Sequence, residues 1–160
     1  MQASVPSRVV IVSSGLHKRG KIDFDNLNGS KGYDALAAYN NSKLANNLFA
    51  RELARRTAGT GIDVHCLRPG MVRTDLGRHK LFNVVLRVLG RPLAWLLVKS
   101  PYEGCQTVLH CLLSEELTGK SGLFYANCAV EEWSEPSRDD DAAQKLWEVS
   151  EELTGLQKAH

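Results

Sequence analysis

The run R-V-V-I-V-S-S, Arg8 to Ser14, most constrains how this chain can fold. A continuous β-branched stretch has no polar face to show to water, so it suits a strand covered on both sides, as in a parallel sheet. A second apolar strand is expected from Ile62 to Leu67. Between them Ala37 to about Thr57 reads as a long helix, and Gly59 to Gly61 turn the chain into the second strand. Parallel strands need such a crossover. The first strand ends in two hydroxyls, and the second in Arg68-Pro69-Gly70-Met71-Val72-Arg73-Thr74. In open α/β sheets, chemistry sits outside the carboxyl ends of the strands. Both segments should therefore emerge at one edge.

The intervening helix carries A-A-Y-N-N-S-K-L-A-N, with Tyr39 four residues before Lys43. That spacing puts both side chains on one helix face. A phenol ionises near pH 10 and is a poor acid–base group at neutrality. A neighbouring ammonium favours the phenolate. Moving a phenol to neutrality needs roughly 4 kcal/mol, more than one lysine supplies, so a cationic cofactor ring and a hydroxyl donor would have to help. Taken alone, a tyrosine and a lysine at this spacing are common on solvated helices. Their place between the two strand ends gives the pair its meaning.

Further along, 81–98 is strongly apolar and contains Trp95; Pro101 opens another helix to about Leu113. A third strand is expected at Ser121 to Ala126, and an amphipathic helix from Asp139 to Thr154. Its start, Asp139-Asp140-Asp141, complements a helix dipole. The stretch 81–98 approaches the length of a membrane span, about 20 residues. Arg87 and Arg91 interrupt it, and Gly90 and Pro92 break it. Two readings remain: a lid over an apolar substrate, or a segment lying at a membrane surface with Arg87, Arg91 and Lys99 at the headgroups.

Composition narrows the classes. The 160 residues are 43% hydrophobic, enough for one core, and the net charge of +2 gives no nucleic-acid signal. Arg51, Arg55 and Arg56 accompany Glu52 on what reads as a solvated helix face. Cys66, Cys105, Cys111 and Cys128 show no C-x-x-C spacing, which argues against zinc. Apolar surroundings suggest buried free thiols and a reducing compartment. The polar start shows no signal peptide. His17, His65, His79, His110 and His160 do not cluster, so structural or surface roles are expected of them.

The combination S-S, Y-x-x-x-K-L-A-N, E-L-A-R-R, P-G-x-V-x-T and a late S-G-x-[FY]-[FY] resembles the short-chain dehydrogenase/reductase family, in family order over nearly the whole chain. I-D-F-D-N-L-N, L-F-A-R-E-L-A-R-R, P-G-M-V-R-T-D-L-G-R-H, G-C-Q-T and K-L-W-E-V-S point to the retinol-dehydrogenase-like branch. The resemblance implies an oxidoreductase with an α/β, Rossmann-type doubly wound parallel sheet, here partial, of about three strands with flanking helices. It makes Tyr39 the general acid in carbonyl reduction and the base in alcohol oxidation. Lys43 would favour the phenolate and bind the nicotinamide ribose. Ser14, with Ser13 as the competing choice, would bind the substrate oxygen. Pro69, Gly70, Val72 and Thr74 would contact the nicotinamide end of the cofactor. NADP is the implied cofactor, with NAD the alternative, and the implied substrate is an apolar alcohol or aldehyde such as a retinoid. No metal is implied.

One departure qualifies that expectation. The family begins with a strand, a glycine-rich turn and a helix that bind the dinucleotide, and no G-x-x-x-G-x-G stands before Ser14. The expectation is a single unit over 1–160 corresponding to the C-terminal part of that domain. Its first strand would have an open apolar edge, a hazard for pairing or aggregation. A catalytically inactive product acting as an interaction module or membrane-surface protein is therefore the alternative. Expected partners are an apolar small molecule, no nucleic acid, a membrane surface through 81–98, and a second copy in a weakened dimer. The expected location is intracellular, in the cytoplasm or at the endoplasmic reticulum membrane.

Overall fold

A computed structural model describes residues 4–72 and 98–156. The expected βαβ unit is present. Strand β1 (Ser7–Val12) is followed by a 3-10 turn at Gly15–Arg19, helix α1 (Ala35–Arg56) and strand β2 (Ile62–Arg68). Helix α2 (Pro101–Leu113), a 3-10 turn at Glu115–Leu117, strands β3 (Leu123–Ala126) and β4 (Ala129–Glu131), a 3-10 turn at Glu135–Arg138 and helix α3 (Asp140–Thr154) complete the order. The sheet runs β1-β2-β3-β4, with the first three strands parallel and β4 antiparallel to β3.

The sequence reading anticipated about three strands, and the fourth is a short addition. Asn127 and Cys128 connect β3 to β4 with φ of 51° and 60°. Two positive φ values in a two-residue loop are what a tight hairpin needs. The usual second residue there is glycine, so Asn-Cys does not advertise the turn. Helix α1 begins two residues earlier than expected because the Asp34 side chain caps it, accepting from the Ala37 amide at 2.7 Å. Ser100 and Glu103 form a capping box that starts α2.

Alternating β2 residues feed two cores. Val64 and Cys66 pack with Ala50 of α1 and Phe124 of β3. Leu67 packs with Cys111 of α2, Leu117 and Tyr125 on the other face. A third cluster joins α1 to α3 through Leu44, Leu48 and Ala143. Burial pushes the Cys66 thiol up to about 12 and that of Cys111 up to about 11, so both stay protonated. The expectation of buried thiols fails at two positions. Cys105 is only half-buried and Cys128 is exposed, because one lies on the cavity side of α2 and the other at the hairpin tip.

Glu52 also departs from its expected solvated setting. It is buried and receives hydrogen bonds from Arg55 at 2.7 and 2.8 Å and from Arg56 at 2.6 Å. Those bonds outweigh burial and hold its carboxyl below the usual range. The helix spacing was legible, but the inward turn of this one carboxylate was not. Asn47, fully buried, donates to Ser137 at 2.9 Å and accepts from the Cys66 thiol at 3.4 Å, tying α1 to the segment before α3 and to β2.

His65 lies fully buried in β2, edge-on to Tyr125, with neither ring nitrogen bonded among the described residues. Burial lowers its pKa, and the Arg8 cation adds to that effect. Burial likewise lowers the pKa of His17, against the bond that it makes with the Ser14 carbonyl. Folded and unfolded chains are both neutral at these sites well above pH 6.5, an ordinary histidine value. Below about 6.5 the unfolded chain takes up protons that the folded chain refuses, so stability must fall as pH falls. Thermal melts should therefore drop steadily from pH 7.5 to about 5.5, with a smaller slope in His65→Leu. Equal slopes in the variant and the parent would show that His65 does not carry the effect.

Candidate functional site

The register brings the strand ends level. Val12 stands beside Leu67, Leu67 beside Tyr125, and Arg68 beside Ala126. The chain beyond each strand therefore leaves the sheet at the same edge. Ser13 is buried there; its amide donates to the Leu67 carbonyl at 2.7 Å and its hydroxyl to the Lys43 carbonyl at 2.9 Å. Its hydrogen is thus committed to α1. Ser14 differs. Its hydroxyl oxygen accepts from the Leu16 amide at 3.3 Å, capping the short turn at Gly15–Arg19. An oxygen that accepts through a lone pair keeps its own hydrogen for another acceptor.

Helix α1 crosses the end of β1. The Val12 carbonyl accepts from Lys43 Nζ at 3.4 Å and from Asn46 Nδ2 at 3.1 Å. The same ammonium lies 5.6 Å from the centre of the Tyr39 ring. The helix thus presents phenol and ammonium side by side, above the strand that carries the serines.

Beyond β2, Gly70 adopts φ 87°, a conformation open to glycine and strained for other residues. This swings Met71 and Val72 alongside the segment that leads into α2. The Lys99 amide donates to the Met71 carbonyl at 2.8 Å, and Val72 and Lys99 form an isolated parallel bridge. Val72 then packs on Gly104 in the first turns of α2. A methyl group at Gly104 would stand 2.5 Å from Val72 Cγ2.

These elements enclose a cavity of about 340 Å³ lined by Ser13, Ser14, Tyr39, Pro69, Gly70, Val72, Pro101, Gly104 and Cys105. Of the residues singled out in the sequence, Ser14, Tyr39, Pro69, Gly70 and Val72 meet on this one wall. Lys43 lies behind Tyr39 and does not line the cavity. Thr74 lies outside the described residues, as does 81–97 of the apolar stretch. Sequence reasoning missed the α2 wall. Gly104 reads as an ordinary helix-weakening glycine until Val72 is seen against it. Larger cavities occur elsewhere, at the opposite end of β2 and beside the N-terminus of α1, of about 780 and 610 Å³. Neither contains Tyr39 or the serines, and we assign the chemistry by convergence of reactive groups rather than by size. No group of histidine, cysteine or acidic residues suited to a metal occurs among the described residues.

Around the cavity, Arg68 Nε donates to Glu131 at 2.6 Å, and Lys18 reaches the same carboxylate at 3.2 Å. Burial opposes ionisation of Glu131, but these bonds prevail and hold its carboxyl below its ordinary range. The network ties the Ser14 turn, the end of β2 and β4 together. His17 braces it from below, edge-on to Phe124.

A mostly parallel α/β sheet with hydroxyl, phenol, ammonium and a Pro-Gly turn at its carboxyl edge is a Rossmann-type arrangement. Comparison with known proteins agrees. A short chain dehydrogenase profile matches residues 8–82. The chain is 44% identical over 158 residues to human "Retinol dehydrogenase 14", covering 99% of this chain and 47% of that protein. It is 48% identical to bovine "Dehydrogenase/reductase SDR family member 13", over 98% of this chain and 42% of the relative. Against human "Retinol dehydrogenase 11" it is 43% identical, over 98% of this chain and 48% of the relative. A crystal structure of an uncharacterised Mycobacterium paratuberculosis protein superposes with a TM-score of 0.65 at 27% identity, over 93% of this chain and 50% of that one. The chain belongs to the short-chain dehydrogenase/reductase family, and its relatives include retinol dehydrogenases. It spans about half the length of the curated relatives that it matches.

The Gly104–Val72 contact makes a direct prediction. Gly104→Ala should push Val72 off α2 and destabilise the fold by about 1–3 kcal/mol, the usual cost of overpacking. Gly104→Ala combined with Val72→Ala should recover much of that loss in urea unfolding. A double variant no more stable than Gly104→Ala would refute the contact as the cause.

Proposed function

We propose that this chain carries the nicotinamide and substrate end of an NAD(P)-dependent oxidoreductase acting on an apolar alcohol or aldehyde of the retinoid kind. The observation that carries the reading is the convergence of Ser14, Tyr39, Pro69, Gly70 and Val72 on one cavity, with Lys43 behind the tyrosine. These groups fit the nicotinamide end of the cofactor. Glycine at positive φ lets backbone approach a flat ring closely, and the hydroxyl and ammonium donors suit a ribose. The bound cofactor would supply or accept the hydride.

The chain's own residues do the proton chemistry. Ser14 would donate its free hydrogen to the substrate oxygen and fix it beside Tyr39. The Tyr39 hydroxyl would give its proton to that oxygen in reduction and take it back in oxidation. Lys43 places its ammonium beside the Tyr39 ring, while the Val12 carbonyl and Asn46 keep the ammonium's neighbourhood fixed. NADP over NAD rests on the branch alone. An apolar substrate accords with relatives named for retinol, and it is compatible with a setting in the cytoplasm or at the endoplasmic reticulum surface. No helix among the described residues is long and apolar enough to cross a membrane.

A second reading, an interaction module, is favoured by one feature. Among the described residues strand β1 has a neighbour on one side only, and Val12, Tyr102, Leu109 and Leu113 present apolar surface nearby and on α2. Titration of the purified chain with NADPH and NADH, read by calorimetry and thermal shift, separates the readings. Ligand at a hundred times its dissociation constant should add about 2.7 kcal/mol of apparent stability. Tyr39→Phe should keep cofactor binding and lose at least about 100-fold in retinal reduction, the contribution usual for general acid catalysis. No binding at millimolar cofactor, together with concentration-dependent association, would favour the interaction module.

A further inference from the structure

Lys99 takes part in none of the chemistry above, yet three separate contacts converge on it. Its amide donates to the Met71 carbonyl at 2.8 Å. Its side-chain stem lies across Gly70, where a methyl group would meet Cδ, Cε and Nζ at 3.5–3.6 Å. Its ammonium donates to Asn127 Oδ1 at 2.7 Å. Asn127 is the first residue of the β3–β4 turn and is held at φ 51°. One side chain therefore links the strip after β2, whose Gly70 and Val72 line the cavity, to the end of β3.

We propose that Lys99 is a positioning residue, which with Asn127 holds the Gly70–Val72 strip in register and thereby sets affinity for the nicotinamide end of the cofactor. The affinity part rests on the oxidoreductase reading. The physical need is plain. Beyond Arg68 the strip has left the sheet, and the backbone pairing it keeps among the described residues is the isolated Val72–Lys99 bridge. Gly70 adds backbone freedom at the point where rigidity matters. The Met71–Lys99 bond and the packing of Val72 on Gly104 fix the far end, and the Lys99 stem presses on the near end. Asn127 suits its part because asparagine tolerates positive φ and leaves its side-chain carbonyl free to accept.

The test compares the wild-type chain with Lys99→Met, Asn127→Gly and Asn127→Asp. Glycine at 127 keeps the turn and removes only the acceptor, whereas aspartate keeps an acceptor for the ammonium. Hydrogen exchange at the Lys99 amide should rise about tenfold in the first two variants, the effect of one net hydrogen bond, and stay at the wild-type rate in Asn127→Asp. NADPH affinity by calorimetry should weaken by a similar factor in the same two variants and be retained in the third, while melting temperatures stay alike. Unchanged exchange in Lys99→Met overturns the tether. Faster exchange with unchanged NADPH affinity overturns its role in binding. A wild-type chain that binds no NADPH sinks the oxidoreductase reading and the affinity role with it, and exchange then decides the tether alone.

Discussion

The site depends on the stitch between the end of β1 and helix α1. The Val12 carbonyl accepts from Lys43 and Asn46, while Ser13 returns a hydrogen bond to the Lys43 carbonyl. Three polar contacts of 2.9–3.4 Å limit how far the helix slides along the strand and how it rotates about its axis. Because side chains four residues apart on a helix move together, fixing Lys43 also fixes Tyr39. Because Ser14 is the residue after Ser13, the same stitch sets serine and phenol against each other. The Ser13 bond is part-buried and the other two are exposed, so their effect lies in selecting one arrangement more than in adding stability.

A second set of constraints brings the remaining wall to that stitch. The glycine turn at 70 releases the strip from β2, Val72 finds its place against Gly104, and the capping box of Ser100 and Glu103 starts α2 where the cavity needs a floor. The ion pairs of Glu131 with Arg68 and Lys18 lock the base of the turn that carries Ser14. Exposed pairs contribute little to stability in general. Here the shared carboxylate sits between three elements, and its value lies in registering them. The geometry of the cavity is thus an outcome of packing among four separate segments.

Much of this was legible in the residues. Strand, crossover helix and strand follow from a β-branched run, a 3.6-residue pattern and glycine punctuation, because those periods are properties of the backbone. Tyr39 and Lys43 share a face by spacing alone. The fourth strand was not legible, since Asn127-Cys128 lacks the glycine that marks such a turn. Glu52 was misplaced because a helix pattern gives a face but not which member of a charged cluster turns inward. The exposures of Cys105 and Cys128 were missed for a related reason: apolar neighbours in sequence do not show where a cavity or hairpin tip will fall.

What the sequence by itself determined is the set of elements, their order and the family, because local periodicity and motif order need only neighbours along the chain. It also placed Tyr39 and Lys43 on one face of the crossover helix. Tertiary structure alone decided which of two adjacent serines keeps a free hydrogen. Ser13 spends its hydroxyl on the Lys43 carbonyl, 30 residues away, and Ser14 accepts from a turn amide two residues on. Tertiary structure also brought Gly104 and Lys99 to the strip after β2. A hydrogen bond or a close contact between distant segments is specified by distance and angle in space, and no spacing in the sequence encodes either.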